Sequence, residues 1–218
     1  ERSGEELKDR GAGLGVPPSV IRTYVERDMI DADIPYFPAG SFQRRWPSAD
    51  DPDLGYLAWD QPISLMAMNW GMLYRNLRQR VPAGCYHTAS RVVGLVQTAD
   101  DHVRVLLGNG TEQTFDLVVS ADGYLSLGRQ TLFPDVHPVY AGYVLWRGWL
   151  NENEFADPSP LNTAIHCVGH PGGHGIFYFV PNADGSVAAG KRLVNWGLYV
   201  PIGHDEIQTF LTDSKGRP

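Results

Sequence analysis

Four closely spaced strand patterns in the second half of the chain limit its fold more than any other feature. They cover residues 139–150, 161–169, 175–181 and 192–200 and carry the aromatic side chains Trp146, Trp149, Phe177, Tyr178, Phe179, Trp196 and Tyr199. Short connections between successive strands are typical of an antiparallel sheet. Because side chains alternate between the two faces of a strand, about half of these aromatics are expected in a core. The opposite face would then be a flat, partly polar wall that suits a planar aromatic ligand.

The first half of the chain adds helices and further strands. Helices are predicted at 18–30 and 68–81, a hairpin at 41–46 and 55–61, strands at 90–98, 102–108 and 111–121, and helices at 124–133 and 204–213. The Asn109-Gly110 pair predicts a tight hairpin turn. The pattern as a whole favours a mixed α/β (α+β) chain with an antiparallel sheet in its second half.

Composition excludes several classes of function. The 218 residues include 18 Lys and Arg against 25 Asp and Glu, a net charge of −7, which is unlike a nucleic-acid-binding protein. The sequence has neither an apolar run long enough to span a membrane nor a visible signal peptide, so no membrane partner is expected. The two cysteines, Cys85 and Cys167, make no disulfide framework, and a reducing cytoplasm is the expected location.

Two motifs that suggest a site are given an ordinary interpretation. His166, His170 and His174 are spaced by four residues, but Pro171 and two glycines exclude a helix there. A hairpin tip is predicted at this point, and no metal site. The glycine-rich segment at 10–15 follows a polar stretch instead of a strand, which argues against a primary phosphate loop. A loop packed beside a cofactor remains open.

A third motif, at residues 116–129, combines an apolar strand pattern with Asp122-Gly123, Ser126 and Arg129. The Asp122 carboxylate can accept hydrogen bonds from a ribose or from the loop backbone, and Gly123 permits close approach of a cofactor. Arg129 can neutralise a phosphate or brace the turn. The alternative is an ordinary strand, turn and helix without a ligand.

This motif resembles the Asp-Gly fingerprint of the single-component FAD-dependent aromatic hydroxylases. "ERS" at 1–3, "RGAGLGVPPSVIRTY" from Arg10 and "YAGYVLWRGWL" from Tyr140 are similar to further segments of that family, in the same order. Together with "CYHTASRVVGLVQ" from Cys85, they look most like the branch that contains 2,6-dihydroxypyridine hydroxylase. The sequence departs from the family pattern at Leu125, where a charge is usual, and at Gly128, where an apolar residue is usual.

The resemblance implies a partial FAD/NAD(P)-binding Rossmann-like domain interlocked with an antiparallel-sheet substrate domain. The FAD-binding part would comprise 1–30 and 68–133, and the substrate sheet 31–67 and 134–218. The implied activity is hydroxylation of an aromatic or N-heteroaromatic ring with O₂ and NAD(P)H, through a flavin C4a-hydroperoxide. The residues implied to contact FAD are Glu1, Arg10, Asp122 and Gly123, with Arg129 as support, and those implied to contact the substrate are His174 and Tyr178.

The family's first phosphate-binding strand and its later Gly-Asp motif have no counterpart between residues 1 and 218. The chain is therefore expected to be a fragment that is inactive alone and purifies without FAD, and a homodimer is left open. Two alternatives also stay open: a non-catalytic module that binds a small molecule, and a flavoenzyme of the same fold that catalyses another oxidation.

Overall fold

The computed structural model describes residues 1–5, 7 and 12–217. The strands are β1 Gly13–Val16, β2 Phe37–Trp46, β3 Tyr56–Asn69, β4 Val92–Gln97, β5 Val103–Leu107, β6 Glu112–Phe115, β7 Tyr143–Asn151, β8 Ala164–His170, β9 Gly173–Val180 and β10 Leu193–Pro201. The helices are α1 Pro18–Glu26, α2 Trp70–Gln79, α3 Leu127–Leu132 and α4 Ile207–Phe210, with short 3-10 helices at Glu152–Glu154 and Ser159–Asn162. The chain divides into two compact units, Glu1–Leu7 with Val81–Ala141 and Lys8–Arg80 with Gly142–Pro218.

The larger unit is built on a seven-stranded sheet with the order β1-β3-β2-β8-β9-β10-β7. Every neighbouring pair in it is antiparallel except β2 and β8, which run parallel. The tip between β8 and β9 is a two-residue turn at Pro171 and Gly172, as the sequence predicts. The four strands of the second half therefore lie side by side, and β2 joins them to the first half.

Local sequence explains where the two longer helices of this unit, α1 and α2, begin. Pro18 stands at the first position of α1, where its fixed φ and missing N–H carry no cost. The Asn69 side chain caps α2 by accepting a hydrogen bond from the Gly71 amide at 2.9 Å. Ile21 of α1 and Met68 at the end of β3 are buried in one cluster with Ile30 and Ile34. Apolar burial at these positions holds both helices against the sheet.

The two faces of β9 and β10 have different surroundings. Phe179 and Val194 are fully buried and pack with Leu161 of a 3-10 helix on one face. The opposite face carries His174, Ile176 and Tyr178 of β9, with their register partners Tyr199, Gly197 and Asn195 of β10. Across β10 from these lie Leu145, Arg147 and Trp149 of β7. We call this second face, defined by these nine residues, the Tyr178 face.

The smaller unit contains the meander β4-β5-β6 and helix α3. The Asn109-Gly110 turn joins β5 to β6, with Gly110 at φ +84° and its amide donating to the Leu107 carbonyl at 3.0 Å. The predicted hairpin is thus confirmed. At the start of the chain, the Glu1 and Ser3 carbonyls accept hydrogen bonds from the Ser90 and Ala89 amides.

The strand predicted at 111–121 is wrong in its second half. β6 ends at Phe115, and residues 117–121 have no regular structure. Leu117 and Val119 are 77% and 78% exposed, so their side chains gain nothing from a core. An extended segment becomes a strand only beside a hydrogen-bonded neighbour, and no described residue provides one here. The predicted helix at 204–213 is also shorter, since α4 covers only Ile207–Phe210.

No helix of the described part of the chain is both long enough and apolar enough to cross a membrane.

Candidate functional site

The Asp122-Gly123 loop of the smaller unit is held together by its own hydrogen bonds. The Asp122 carboxylate accepts from the Leu127 amide at 2.6 Å, and the Ser126 hydroxyl caps α3 by accepting from the Arg129 amide at 2.9 Å. The Arg129 guanidinium donates to the Tyr124 carbonyl at 2.7 Å. The structure therefore brings together three of the residues predicted from the Asp-Gly motif, and each of them shapes the turn.

Electrostatics keep the Asp122 carboxyl ionised. The Ser126 hydroxyl donates to it and holds its pKa below the usual range, and the Leu127 and Gly128 amides act in the same direction against a raising effect of burial. A carboxylate at the first turn of a helix also interacts favourably with the helix dipole. The negative charge of Asp122 is thus fixed at one place in the loop.

The loop leaves room for a ligand beside its backbone. Gly123 has φ +77°, and no atom lies within 4 Å of the position that a Cβ would take. The Nε of Arg129 is shielded from water and has no hydrogen-bond partner among the described residues. Open space at the Gly123 backbone and an unsatisfied guanidinium nitrogen in the same loop fit one part of an FAD site.

Gly128 explains a departure from the family pattern. A Cβ at Gly128 would overlap the side chain of Ser120, so a larger residue does not fit at this position in this chain.

The other two predicted FAD contacts are placed differently. The Glu1 carboxylate accepts a hydrogen bond from the Ser3 amide at 2.8 Å and is exposed. It lies in the same unit as Asp122. Arg10 lies outside the described residues, so its role as an FAD contact stays a prediction.

His174 and Tyr178, the predicted substrate contacts, both lie on the Tyr178 face. The His174 ring stacks on the Tyr199 ring, with centroids 4.4 Å apart and an angle of 10° between the planes. Burial lowers the pKa of His174, and the positive charge of Arg44 lowers it further. The neutral imidazole is thereby favoured, and its ring is held in place by stacking on Tyr199.

Tyr178 lies beside the glycine-rich segment of β1. A Cβ at Gly13 would be 2.7 Å from both Cε2 and the hydroxyl oxygen of Tyr178, so only glycine leaves room for this ring. The Gly13 amide donates to Oδ1 of Asn195 at 2.5 Å. β1, Gly13–Val16 within the glycine-rich segment, is therefore an edge strand, and its Gly13 lies against Tyr178 and Asn195.

Sequence reasoning missed Asn195. It is the register partner of Tyr178 and is only 6% exposed. Its signal in the sequence is a single amide within the apolar strand "RLVNWGLYV". A buried amide in such a strand needs a specific hydrogen-bond partner, and here that partner is Gly13.

The histidines of the β8–β9 hairpin do not meet. The His166 ring is buried, its Nε2 lies 2.9 Å from the Pro160 carbonyl, and burial lowers its pKa. His174 lies on the opposite face of the sheet by register. Within residues 1–5, 7 and 12–217, no group of three or more His, Cys, Asp or Glu side chains could hold a metal ion.

Comparisons with known proteins agree with these observations. The family described as FAD binding domain-like matches residues 140–218. The 2,6-dihydroxypyridine 3-monooxygenase of Paenarthrobacter nicotinovorans is 29% identical over 99% of this chain, which spans 52% of that protein. The predicted resemblance to FAD-dependent aromatic hydroxylases is confirmed.

Solved structures confirm the mixed α/β fold class. The 2,6-dihydroxypyridine-3-hydroxylase of Arthrobacter nicotinovorans superposes with a TM-score of 0.84 at 26% identity, over 99% of this chain and 53% of that one. HpxO of Klebsiella pneumoniae, solved with FAD and uric acid, gives a TM-score of 0.67 at 19% identity, over 96% of this chain and 53% of that one. The chain thus spans about half the length of the proteins that it matches.

Proposed function

We propose that this chain is part of an FAD-dependent monooxygenase that hydroxylates an aromatic or N-heteroaromatic ring with O₂ and NAD(P)H. The observation that carries the proposal is the match to 2,6-dihydroxypyridine hydroxylases, which extends over nearly every residue of the chain in both sequence and structure. The Asp122-Gly123 loop and the Tyr178 face support it independently, because each has a shape and chemistry that the reaction requires.

The smaller unit contributes to cofactor binding in this proposal. Gly123 offers its backbone, and Arg129 supplies positive charge close to it. Glu1 and Asp122 are the proposed hydrogen-bond acceptors for ribose hydroxyls, with Arg10 as a further contact. When bound, FAD would supply the reduction of O₂ and the transfer of one oxygen atom, chemistry that no protein side chain provides.

The larger unit binds and orients the ring. The stacked His174 and Tyr199 rings offer an aromatic surface, and the Tyr178 hydroxyl offers a hydrogen bond at a fixed position. Arg44 and Arg147 add positive charge near His174 and Tyr178 respectively. A planar ring that carries hydroxyl or oxyanion groups matches this combination of flat apolar area and donors.

The reaction is tested with the complete protein that contains this chain. Reconstituted with FAD and supplied with NADPH or NADH, it is expected to consume O₂ when 2,6-dihydroxypyridine is added. One ring C–H becomes C–OH, the second oxygen atom leaves as water, and one NAD(P)H is oxidised per product. Mass spectrometry should show a gain of one oxygen atom. O₂ consumption no higher than without substrate would contradict the proposal, and a product that lacks the added oxygen would indicate another oxidation.

The role of Asp122 is tested by Asp122→Ala in the same protein. The change removes an ionised acceptor and the bonds that order the loop, and a charged hydrogen bond contributes about 1.5–3 kcal/mol. We expect the dissociation constant of FAD to rise roughly tenfold or more. Asp135→Ala, an exposed carboxylate of the same unit, is the control and should leave it unchanged. Equal FAD affinity in the Asp122 variant and the wild type would contradict a role of Asp122 in FAD binding and show that the loop is only a structural turn.

A further inference from the structure

The sheet of the larger unit is curled so strongly that its β1 edge meets strands β9 and β10. In the strand order, β1 and β10 are five strand spacings apart, which would be roughly 24 Å in a flat sheet. The Gly13 amide of β1 nevertheless donates to Oδ1 of Asn195 in β10 at 2.5 Å. Because Asn195 belongs to the Tyr178 face, this face is the concave side of the curl, and β1 closes one end of it.

The contact between β1 and this face depends on the missing side chain of Gly13. A Cβ there would lie 2.7 Å from Cε2 and from the hydroxyl oxygen of Tyr178, and 2.9 Å from Cγ of Asn195. Carbon atoms pack at about 3.5–4.0 Å, so any side chain at this position would force β1 away from both residues. The buried Asn195 amide is 6% exposed and would then lose its backbone donor.

On its other side, β1 is held by the end of β3 and the start of α2. Gly13 is the register partner of Asn69, and the Ala12 carbonyl accepts a hydrogen bond from the Trp70 amide at 3.2 Å. The Gly13 backbone is thus fixed between α2 and β10. A residue that pushes β1 away from Asn195 must disturb these bonds as well.

The open part of the concave face lies between this closed edge and the stacked rings of His174 and Tyr199. His174 and Tyr178 are four residues apart in β9, about 13 Å between their Cα atoms. Between them only Ile176 points to the same face, and its register partner Gly197 has no side chain. Aromatic side chains therefore border a short, low floor, which has the length of a single six-membered ring with its substituents.

We propose that Gly13 is a specificity-determining residue, which lets the β1 edge close onto Tyr178 and Asn195 and so restricts the Tyr178 face to a substrate with a single ring. The inference deepens the proposed function and rests on it for the chemistry of the ligand. Gly13 supplies no functional group of its own; it acts by allowing β1 to lie where it does, and the Asn195 side chain holds β1 there.

The test compares two substrates in the complete protein that contains this chain. 2,6-Dihydroxypyridine has one ring, and 1,3-dihydroxyisoquinoline is the same ring with a second ring fused to it. Gly13→Ala moves β1 away from Tyr178, so we expect kcat/KM for the two-ring compound to rise roughly tenfold relative to that for the single ring, as small changes in pocket size do. A ratio that is unchanged or falls would overturn the proposal, because simple structural damage lowers both values together.

Gly40→Ala is the matched control for this substitution. Gly40 is also a glycine of the same sheet, but its Cβ would lie 3.8 Å from the nearest atom, the Thr163 carbonyl oxygen. This is an ordinary contact, so the variant should keep the wild-type ratio. An equal rise in both variants would mean that the closed edge at Gly13 is not the cause.

Asn195→Ala breaks the same contact from the β10 side. We expect it to raise the ratio as Gly13→Ala does, and the double variant to raise it no further than the stronger single variant, because the contact is already lost. Effects that multiply would contradict a shared cause. Should Gly13→Ala not fold, Asn195→Ala carries the comparison, since it removes the acceptor without adding volume.

A measurement without substrate distinguishes failure of this inference from failure of the proposed function. The protein is labelled with ¹⁵N-glycine, and hydrogen exchange is followed at the amide resonance that is absent from Gly13→Ala. We expect at least about tenfold faster exchange in Asn195→Ala, because the amide loses its acceptor, and no change at the Gly40 amide, which donates to the Thr163 carbonyl. An unchanged rate at Gly13 would refute the contact even if the enzyme is active. A faster rate with no oxidation of either compound would mean that the contact is right and the proposed reaction is wrong.

Discussion

Arg192 and Glu152 form an ion pair that is almost completely shielded from water. Their side chains are 7% and 5% exposed, and Nε of Arg192 lies 2.5 Å from Oε2 of Glu152. The guanidinium also lies over the Phe179 ring, 3.8 Å from its centroid, and donates to Oδ1 of Asn162 at 2.8 Å. The pair therefore fastens both 3-10 helices to the start of β10.

Replacing one partner of this pair is expected to destabilise the larger unit strongly. Glu152→Gln leaves the Arg192 charge buried without a counter-charge, which costs about 3–5 kcal/mol of unfolding free energy. Urea denaturation followed by tryptophan fluorescence measures it. Glu154→Gln is the control, because its exposed side chain accepts from Asn151 and a glutamine oxygen can do the same. A loss below about 1 kcal/mol in Glu152→Gln would show that the pair is not effectively buried.

The same pair predicts a pH dependence. Burial favours the neutral carboxyl, but the hydrogen bonds from Arg192 and Gly190 outweigh it and hold the pKa of Glu152 below its ordinary 4.5. A depressed carboxyl pKa stabilises the folded state above the unfolded-state pKa, and this stabilisation is lost as the pH falls through the folded-state value. The stability difference between wild type and Glu152→Gln should thus be complete at pH 7 and shrink below about pH 4.5. A difference that does not vary between pH 7 and pH 3 would contradict this assignment.

Among the elements, the β8–β9 hairpin sets the position of His174. Gly173 has φ +146°, and a Cβ there would overlap the Tyr199 carbonyl oxygen of β10. Gly173→Ala is expected to cost about 1–3 kcal/mol in strain and to displace β9 from β10. Urea denaturation gives the energy, and the NMR shift of the His174 ring reports its stacking on Tyr199.

The neighbouring glycine of this hairpin is a matched control. At Gly172 a Cβ would meet only the His170 ring, at an ordinary 3.5 Å. Gly172→Ala should therefore stay within about 0.5 kcal/mol of the wild type. Equal losses in the two variants would mean that the left-handed backbone of Gly173 is not the cause.

Elements with a strong local signal were predictable from sequence. The Asn109-Gly110 turn, the hairpin tip at Pro171 and the amphipathic helix α1 each depend on a few adjacent residues. Residues 117–121 were not predictable, because a strand also needs a neighbour, and alternation alone does not show whether one exists. The parallel pairing of β2 with β8 had no local signal either, since its two strands are distant in sequence.

The residues of the candidate site were likewise predictable from sequence where their contacts are local, and not where they are long-range. The Asp122-Gly123 loop was found from its motif because all of its contacts are local. His174 and Tyr178 were predicted from the family resemblance, and the structure places them on one face, as their spacing of four residues within β9 requires. Asn195 and Gly13 were not singled out as a pair, because their bond joins strands that are far apart in the chain. Long-range hydrogen bonds of this kind become visible only with the fold.

At the scale of the whole molecule, both compact units are assembled from separate stretches of chain. The smaller unit combines the first seven residues with residues 81–141, and the larger unit takes the chain on either side of that insertion. Sequence motifs that are neighbours along the chain can therefore belong to different compact units. The assignment of one part to FAD and another to the ring stays a prediction, and the Asp122 variant tests the part assigned to FAD.

During biosynthesis, the parallel pairing of β2 with β8 cannot form until long after β2 has been synthesised. Residues 41–45 emerge from the ribosome first, and their partners 164–168 follow about 120 residues later, which corresponds to roughly 10 s of translation. During that interval the β2 edge has no partner, a state that invites pairing with other nascent chains. In refolding, pulsed hydrogen exchange should protect the β9–β10 amides before the amides that join β2 to β8, because the latter close a long loop. Simultaneous protection would contradict this order. The β2–β8 pairing in the middle of the sheet is thus expected to be the last part of the sheet to form and the part most dependent on chaperones.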